Sequence, residues 1–261
     1  MPEEFKPTPH ILGDPIVMDA VKAINLVKQS KQIDGHVGGG MAVGAYIPIE
    51  EQRPTIDLDF TLLWGGTTEE FRSLMEPMII DLKLIGYDLN VHKGDKTYDI
   101  SVQSPSQSDS LLIQHHRRNK GNFERNRKSL EREVANQRIV AKDGTSFSVM
   151  SPEDLILHKL SRLFTFSSVY GLAIPARMKT DNMARTIRLF RKNYSSSPDG
   201  PQEKEAVLIR MYHDAHDIKH LSMHAGLNKR YFEEAAKDWE NKYMDEESAK
   251  ELLEKMGVEL K

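Results

Sequence analysis

The stretch that most limits how this chain can fold is residues 56–63, in which apolar and polar side chains alternate. Side chains on a β-strand point to opposite faces in turn, so the apolar residues share one face and Asp57 and Asp59 share the other. Two carboxylates ~4 Å apart repel each other by roughly 4 kcal/mol at an effective dielectric constant of ~20. A divalent cation between them removes this repulsion, and Mg²⁺ prefers such oxygen ligands, together with waters and substrate phosphates. The pattern predicts a strand with a magnesium site; the alternative is a solvated face on which Arg53 and Thr55 neutralise or cap the acids.

Composition excludes several classes of protein. The chain has 261 residues and no cysteine, which rules out disulfides and thiolate metal sites. No apolar run approaches the ~20 residues needed to span a bilayer. The polar N-terminus lacks the apolar core of a secretory signal. We therefore expect a cytoplasmic protein that does not associate with a membrane.

Charge is distributed unevenly although the net charge is only −3. Residues 115–142 contain nine Lys or Arg against three Glu, and residues 177–192 contain six against the single acid Asp181. Two basic segments beside an acidic metal site suit a polyanionic substrate. The alternative is that both segments are ordinary solvated helix faces.

The secondary-structure signals change in character near residue 150. They predict first a helix from Pro15, a glycine turn at 38–40, a strand near 55–64, a helix at 67–85, short strands at 87–92, 97–103 and 110–114, a helix at 119–137 and a strand at 147–149. From Ser151 only helices are predicted, near 203–222, 228–242 and 246–256, with a flexible break at 195–201. This order predicts an α+β fold, with a small mixed β-sheet domain at residues 1–150 followed by a helical domain at 151–261.

Gly39 and Gly40 precede the acidic strand by fewer than twenty residues. Glycines remove side chains where the backbone must approach a ligand or adopt a positive φ angle. Amide groups in such a turn can bind phosphate. We interpret the pair as a phosphate-binding turn only because the two aspartates follow it.

A third carboxylate would complete a site for two metal ions, and two residues are candidates. Asp99 lies within an apolar strand pattern, and Asp109 begins the next one. Either could reach the metal from a neighbouring strand, or be an ordinary acid at a strand edge. The sequence leaves both possibilities open.

Lys159 occupies an unusual position in the helix that begins at Ser151. At 100° per residue the apolar side chains of this helix cover an arc of about 180° from Leu155, and Lys159 falls inside it, at about 40°. An inward lysine needs an anion or must extend its amine to solvent. A triphosphate, or a carboxylate of the acidic strand, is such an anion.

The same test places Asp214 within the apolar stripe of a later helix and Asp217 at its edge. A buried aspartate needs a cation or several donors, and the candidates are Lys159 and Arg210. The pair could act at the substrate or form a salt bridge that joins the two halves of the protein. A third interpretation takes His213-Asp214 and His216-Asp217 as ligands of a metal-dependent phosphohydrolase, with His158 as an upstream ligand.

Taken together, these residues resemble the nucleotidyltransferase toxins of the AbiE/MenT type, within the DNA polymerase β-like superfamily. The family pattern is a glycine pair, Arg-x-Thr-x-Asp-x-Asp-Phe, a Ser-Pro-Glu-Asp-Leu-Ile-x-x-Lys-Leu helix and an Asp-x-x-Asp helix. Here these are Gly39-Gly40, residues 53–60, residues 151–160 and residues 214–217. The chain departs from the superfamily's frequent Gly-Ser by having a third glycine and no serine.

The resemblance implies an active site in a cleft between a small sheet domain and a helical domain. Asp57 and Asp59 would hold Mg²⁺, with Asp99 or Asp109 as a further ligand. The catalytic set would be Asp57, Asp59, Lys159 and Asp214, and the nucleotide-binding set would be Gly39, Gly40, Arg53, Thr55 and Lys159.

The resulting hypothesis is transfer of a nucleoside monophosphate from an NTP to an acceptor hydroxyl, at the 3′ end of a tRNA or on a protein. By resemblance, the chain would be the toxin of a toxin–antitoxin pair, with an antitoxin protein as partner. The alternative is a catalytically degenerate member that binds nucleotide or RNA.

Overall fold

The computed structural model describes residues 14–53, 55, 57–93, 97–104, 110–116, 120–142, 144–175, 201–239 and 243–260. The chain divides into two compact units, Met1–Ser151 and Pro152–Lys261. The first contains a seven-stranded mixed sheet and four described helices, and the described part of the second is helical. The predicted α+β class is therefore confirmed. Among the described residues, no helix combines the length and apolar character required to cross a membrane.

The first unit combines short strands with helices. Its helices are α1 (Pro15–Lys31), α2 (Gly39–Gly44), α3 (Thr68–Ile85) and α4 (Lys120–Ala135). Its strands are β1 (Gly35–Val37), β2 (Asp57–Leu62), β3 (Asp88–Lys93), β4 (Thr97–Gln103), β5 (Ser110–His116), β6 (Arg138–Lys142) and β7 (Thr145–Val149). The sheet order is β3-β4-β5-β2-β1-β7-β6. β2 thus lies in the middle, parallel to β5 and antiparallel to β1.

Local capping explains where the main helices of this unit begin. The Asp14 side chain accepts a hydrogen bond from the backbone of Ile16, and Pro15 fills the first turn of α1. Thr67 and Glu70 form a reciprocal capping box at the start of α3. α3 ends at Gly86, which takes a φ angle of 109°. The predicted starts of α1 and α3 are confirmed.

An aromatic row fixes which face of the sheet is buried under α3. Phe60, His115 and Tyr98 are register partners across β2, β5 and β4, and all three are buried. Phe71 of α3 stacks on His115 and Tyr98 with ring centroids 4.7 and 4.1 Å apart. Because side chains alternate, residues next to this row, including Asp59, lie on the opposite face.

The structure contains several elements that the sequence patterns did not predict. The glycine segment is not only a turn, since Gly39–Gly44 form the short helix α2. β1 has only three residues and so shows no periodicity. In β6 the only inward apolar residue is Val140, while Ile139 is 63% exposed, so the alternation there is too short to identify a strand.

The second unit contains helices α5 (Pro152–Tyr170), α6 (Pro201–His224), α7 (Lys229–Lys237) and α8 (Glu246–Lys255). α5 packs against α6 and α7, and α7 packs against α8. Asn228 caps α7, and Asp245 forms a capping box with Ser248 at α8. The predicted break at 195–201 lies outside the described residues except for Pro201, at which α6 begins.

A hydrogen bond between Tyr87 and Asp19 gives the first unit a testable alkaline response. The Tyr87 hydroxyl donates to Asp19 Oδ2 at 2.9 Å. Burial, and then this bond and the charge of Asp19, raise the pKa of Tyr87 from 10.0 to about 12. A group whose pKa is raised on folding contributes stability that is present below its unfolded pKa and lost as pH rises through the folded one.

We therefore expect the stability advantage of the wild type over Tyr87→Phe to hold below pH ~10 and to shrink between pH ~10 and ~12. The measurement is urea unfolding of both proteins at several pH values. A difference that stays constant across this range would show that Tyr87 does not titrate in this way.

Candidate functional site

The two aspartates of β2 lie side by side on one face of the central strand. Leu58 and Phe60 are buried, at 1% and 2% exposure, whereas Asp57 and Asp59 are half-buried. The alternation predicted for this strand is therefore present in the described residues. Ile56 and Pro54 lie outside them. The strand presents two carboxylates on the face opposite the aromatic row.

The glycine turn lies directly against Asp59. The backbone amide of Gly38 donates to the backbone carbonyl of Asp59 at 2.8 Å. Gly39 has a φ angle of 64°, and a Cβ placed on it would fall 1.8 Å from Asp59 Oδ2. Only glycine leaves room for the carboxylate at this point. The turn and the acidic strand, eighteen to twenty residues apart in sequence, thus form one site.

Gly40 extends this site to two more predicted residues. A Cβ on Gly40 would lie 2.8 Å from Arg53 Nη2 and 3.1 Å from Thr55 Oγ1. The guanidinium and the hydroxyl therefore line the turn next to the glycine pair. The structure brings together five predicted residues: Gly39, Gly40, Arg53, Thr55 and Asp59. A Cβ placed on the third glycine, Gly38, would meet only the end of the Met150 side chain, at an ordinary 3.5 Å.

The register of the sheet determines what lies beside Asp59. Its partner on β5 is Gln114, and the partner of Gln114 on β4 is Asp99. Gln114 Nε2 donates to Asp99 Oδ1 at 3.2 Å. Asp99 is thus two strands from Asp59, roughly 10 Å between backbones at the usual strand spacing. The strand next to Asp59 carries an amide, and the other candidate ligand, Asp109, lies outside the described residues.

Lys159 belongs to a buried charge cluster in the second unit. It is 2% exposed, and Asp214 and Asp217 are 0% and 1% exposed. Lys159 Nζ lies 2.7 Å from Asp217 Oδ2 and 3.5 Å from Asp214 Oδ1. The inward positions predicted for Lys159 and Asp214 are therefore correct. The idea that their salt bridge joins the two halves is wrong, because α5 and α6 belong to the same unit.

Arg162 completes this cluster and was not predicted. Its Nε donates to Asp214 Oδ2 at 2.6 Å, and its Nη2 donates to Asp214 Oδ1. Two acids and two bases therefore balance in charge. Arg162 lies at about 340° on the helical wheel used for Lys159, just outside the apolar arc. This position at the edge of the buried side of α5 could have identified it as a partner of the buried acids. Arg210, the second of the two predicted partners of Asp214, is exposed.

The two acids that open α5 hold α7 in place. Glu153 and Asp154 are both fully buried. Glu153 Oε1 accepts from the backbone amide of Asn228 at 2.6 Å, and Asp154 Oδ2 accepts from the Tyr231 hydroxyl at 2.5 Å. The Ser-Pro-Glu-Asp segment thus begins α5 and also anchors α7 within the second unit.

The phosphohydrolase interpretation has little support in this geometry. It requires Asp214 or Asp217 to bind metal, but both carboxylates hold side-chain cations of α5. His158, the proposed upstream ligand, packs edge-on against Trp239 with ring centroids 4.8 Å apart. The arrangement is that of a salt-bridge cluster.

Of the two basic segments, only the first lies largely within the described residues. Residues 177–192 lie outside the described residues. In the first segment, Arg127 of α4 pairs with Glu131 at 2.8 Å and with Glu124 at 3.9 Å. These acids raise the pKa of Arg127, with the hydrogen bond to Glu131 as the main cause. Part of the positive charge on α4 is therefore compensated locally.

Substituting Gly39 tests how closely the turn and Asp59 fit. Gly39→Ala should lower the stability of the first unit by more than the ~1–2 kcal/mol that a left-handed backbone costs a residue with a Cβ, because the Asp59 carboxylate must also move. Gly144→Ala is the matched control, since Gly144 has a φ angle of 75° with nothing within 4 Å of its added Cβ. Thermal melting of both variants measures the difference; equal losses would show that the contact with Asp59 adds no cost.

The chain is similar to several solved structures at low sequence identity. No family model matches it, and no curated protein matches it. Among solved structures, an antigenic nucleotidyltransferase-like protein from Paracoccidioides brasiliensis is similar, with a TM-score of 0.49 and 12% identity over 98% of this chain and 96% of that chain. JHP933 from Helicobacter pylori has a TM-score of 0.35 and 14% identity, covering 84% and 96%. The antibiotic-resistance factor ANT(2'')-Ia has a TM-score of 0.35 and 16% identity, covering 75% and 90%. These likenesses are distant and show neither a substrate nor a reaction for this chain.

Proposed function

We propose that this chain is a Mg²⁺-dependent nucleotidyltransferase that transfers NMP from an NTP to an acceptor hydroxyl. The observation that carries the proposal is the close approach of Gly39 to the Asp59 carboxylate, at a distance that leaves no space for a Cβ. A side-chain-free turn against an acidic strand suits a ligand that combines phosphates with a metal ion.

The donor set fits a hard divalent cation. Asp57 and Asp59 offer carboxylate oxygens, are half-buried and share one strand face. Asp57 and Asp59 would hold the ion, with Asp99 and Asp109 as further candidates. Bound Mg²⁺ would supply charge neutralisation on the phosphates and activation of the attacking hydroxyl.

The residues around the turn would bind and orient the nucleotide. Arg53 and Thr55 line Gly40, where a guanidinium can neutralise phosphate oxygens and a hydroxyl can donate to them. In the reaction the acceptor oxygen bonds to the α-phosphorus. The bond between the α-phosphorus and the oxygen that bridges to the β-phosphate breaks, and pyrophosphate leaves. The proton of the acceptor hydroxyl passes to solvent. The protein mainly positions the reactants in line.

Lys159 and Asp214 complete the proposed catalytic set. Lys159 would contact the nucleotide phosphates, and Asp214 and Asp217 would orient its ammonium. Arg162 also holds Asp214, so movement of Lys159 toward a phosphate would leave Asp214 neutralised.

The proposed acceptor is RNA, with the 3′ end of a tRNA as first candidate and a protein hydroxyl as second. The basic segments at 115–142 and 177–192 favour a polyanion. The proposed setting is that of a cytoplasmic toxin with an antitoxin partner. A small regulator reading frame beside the gene would support this setting, and its absence would count against it.

A second candidate is a catalytically degenerate protein that binds nucleotide or RNA. Gln114 favours it, because the strand beside Asp59 carries an amide at this position. A two-metal site would have a third carboxylate ligand there. Such a protein would retain ligand binding without transferring a nucleotide.

A labelling experiment separates the two candidates. The full chain is incubated with each α-labelled NTP, Mg²⁺ and either total tRNA or a protein mixture. We expect label on one acceptor, loss of label with EDTA, and loss in Asp57→Ala but not in Asp88→Ala, a matched change on the exposed edge strand β3. Absence of label with every NTP, while RNA still binds, would favour the degenerate protein.

A further inference from the structure

The C-terminal half of α6 carries a row of histidines that the proposed reaction does not use. His216, His220 and His224 follow one another at intervals of four residues. Residues four apart on a helix lie on the same face, one turn above the other. His216 and His220 are half-buried and His224 is exposed, so the row reaches solvent.

Two of the three rings, those of His220 and His224, are close enough to share a ligand. The ring centroids of His216 and His220 are 4.2 Å apart, and those of His220 and His224 are 6.4 Å apart. Ring nitrogens of His220 and His224 lie within 4.8 Å of each other. A tetrahedral ion with metal–nitrogen bonds of ~2.1 Å holds two nitrogens about 3.4 Å apart. Small side-chain rotations would close the pair on an ion.

A carboxylate orients the first ring of the row. His216 Nδ1 lies 3.4 Å from Asp217 Oδ1, and the other oxygen of Asp217 accepts from Lys159 at 2.7 Å. This contact ties His216 to the charge cluster of Lys159. At eight residues from His224, or ~12 Å along the helix axis, its ring does not share an ion with that histidine.

We propose that His220 and His224 form a binding site for a transition-metal dication of the Zn²⁺ class. The two imidazoles chelate the ion from successive turns of the helix, and water fills its remaining coordination positions. Imidazole ligands favour Zn²⁺, Ni²⁺ and Cu²⁺, whereas Mg²⁺ favours oxygen. The site is thus chemically distinct from the carboxylates of β2 and independent of the proposed transferase function.

Metal titration of the full chain tests this site. Zn²⁺ is titrated by calorimetry, and Co²⁺ is used as a probe whose visible absorption reports nitrogen coordination. We expect one equivalent to bind, at least tenfold weaker binding in His220→Ala, and wild-type binding in His158→Ala. His158 is exposed on α5 and serves as the matched loss of an imidazole. Because alanine is the best helix former, His220→Ala should remain folded, which circular dichroism checks.

Two further variants make the result decisive. His224→Ala should weaken binding like His220→Ala, and Asp59→Asn should leave it unchanged, which separates this site from the Mg²⁺ site. Equal affinity in the wild type and His220→Ala would overturn the proposal. So would an equal loss in His158→Ala, or displacement of Zn²⁺ by a tenfold excess of Mg²⁺.

Discussion

Asp59→Asn is expected to lower the rate of nucleotidyl transfer by about a thousandfold. The change removes one of two adjacent negative charges and a metal ligand, and metal-ion stabilisation of a phosphoryl transition state is worth several kcal/mol. A loss of ~4 kcal/mol corresponds to a factor of about 10³ in rate. Asparagine has nearly the shape of aspartate, so the side chain still fits against Gly39. The measurement is kcat/KM for label transfer at saturating Mg²⁺.

The stability of the same variant should change in the opposite direction. Without metal, Asp57 and Asp59 repel each other on one strand face, so Asp59→Asn should melt at the wild-type temperature or above it. Asp88→Asn on the exposed edge strand is the control and should alter neither quantity. A variant that retains more than a tenth of wild-type activity while folded would remove Asp59 from the proposed mechanism.

The strand and helix predictions succeeded where the residue pattern of one short segment is enough to identify the element. Alternation alone identified β2 and its acidic face, an Asp-Pro start identified α1, and the spacing of apolar residues identified α3. The place of Asp99 could not be predicted in this way. It depends on the register of β2 with β5, whose paired residues are 55 positions apart, as well as on that of β5 with β4.

The charge cluster of the second unit shows a similar limit. The helical wheel predicted that Lys159 and Asp214 point inward, because that follows from position along one helix. The partners of each charge depend on how α5 packs against α6. From the sequence, Asp214 could pair with Arg210 on its own helix or with Arg162 on α5. The packing of α5 against α6 places Arg162 beside Asp214. Glu153 and Asp154 likewise have partners near and within α7, some 75 residues away.

Lys159→Met should destabilise the second unit by about 3–5 kcal/mol. Removing one partner of a buried ion pair leaves a charge in a poorly solvated place, and the cost is of this size. Asp217 is 1% exposed, and Lys159 Nζ lies 2.7 Å from its oxygen. Lys219→Met, on the exposed face of α6, is the control and should change stability by less than ~0.5 kcal/mol. Urea unfolding followed by circular dichroism measures both.

The double variant Lys159→Met with Asp217→Leu separates a structural role from a catalytic one. Replacing a whole buried pair by apolar side chains of similar volume is often neutral or stabilising, so most of the lost stability should return. If Lys159 only holds α5 to α6, nucleotidyl transfer should return as well. If Lys159 contacts the nucleotide phosphates, as proposed, the double variant should be stable but still inactive. Recovery of both stability and activity would therefore assign Lys159 to the fold and remove it from the proposed catalytic set.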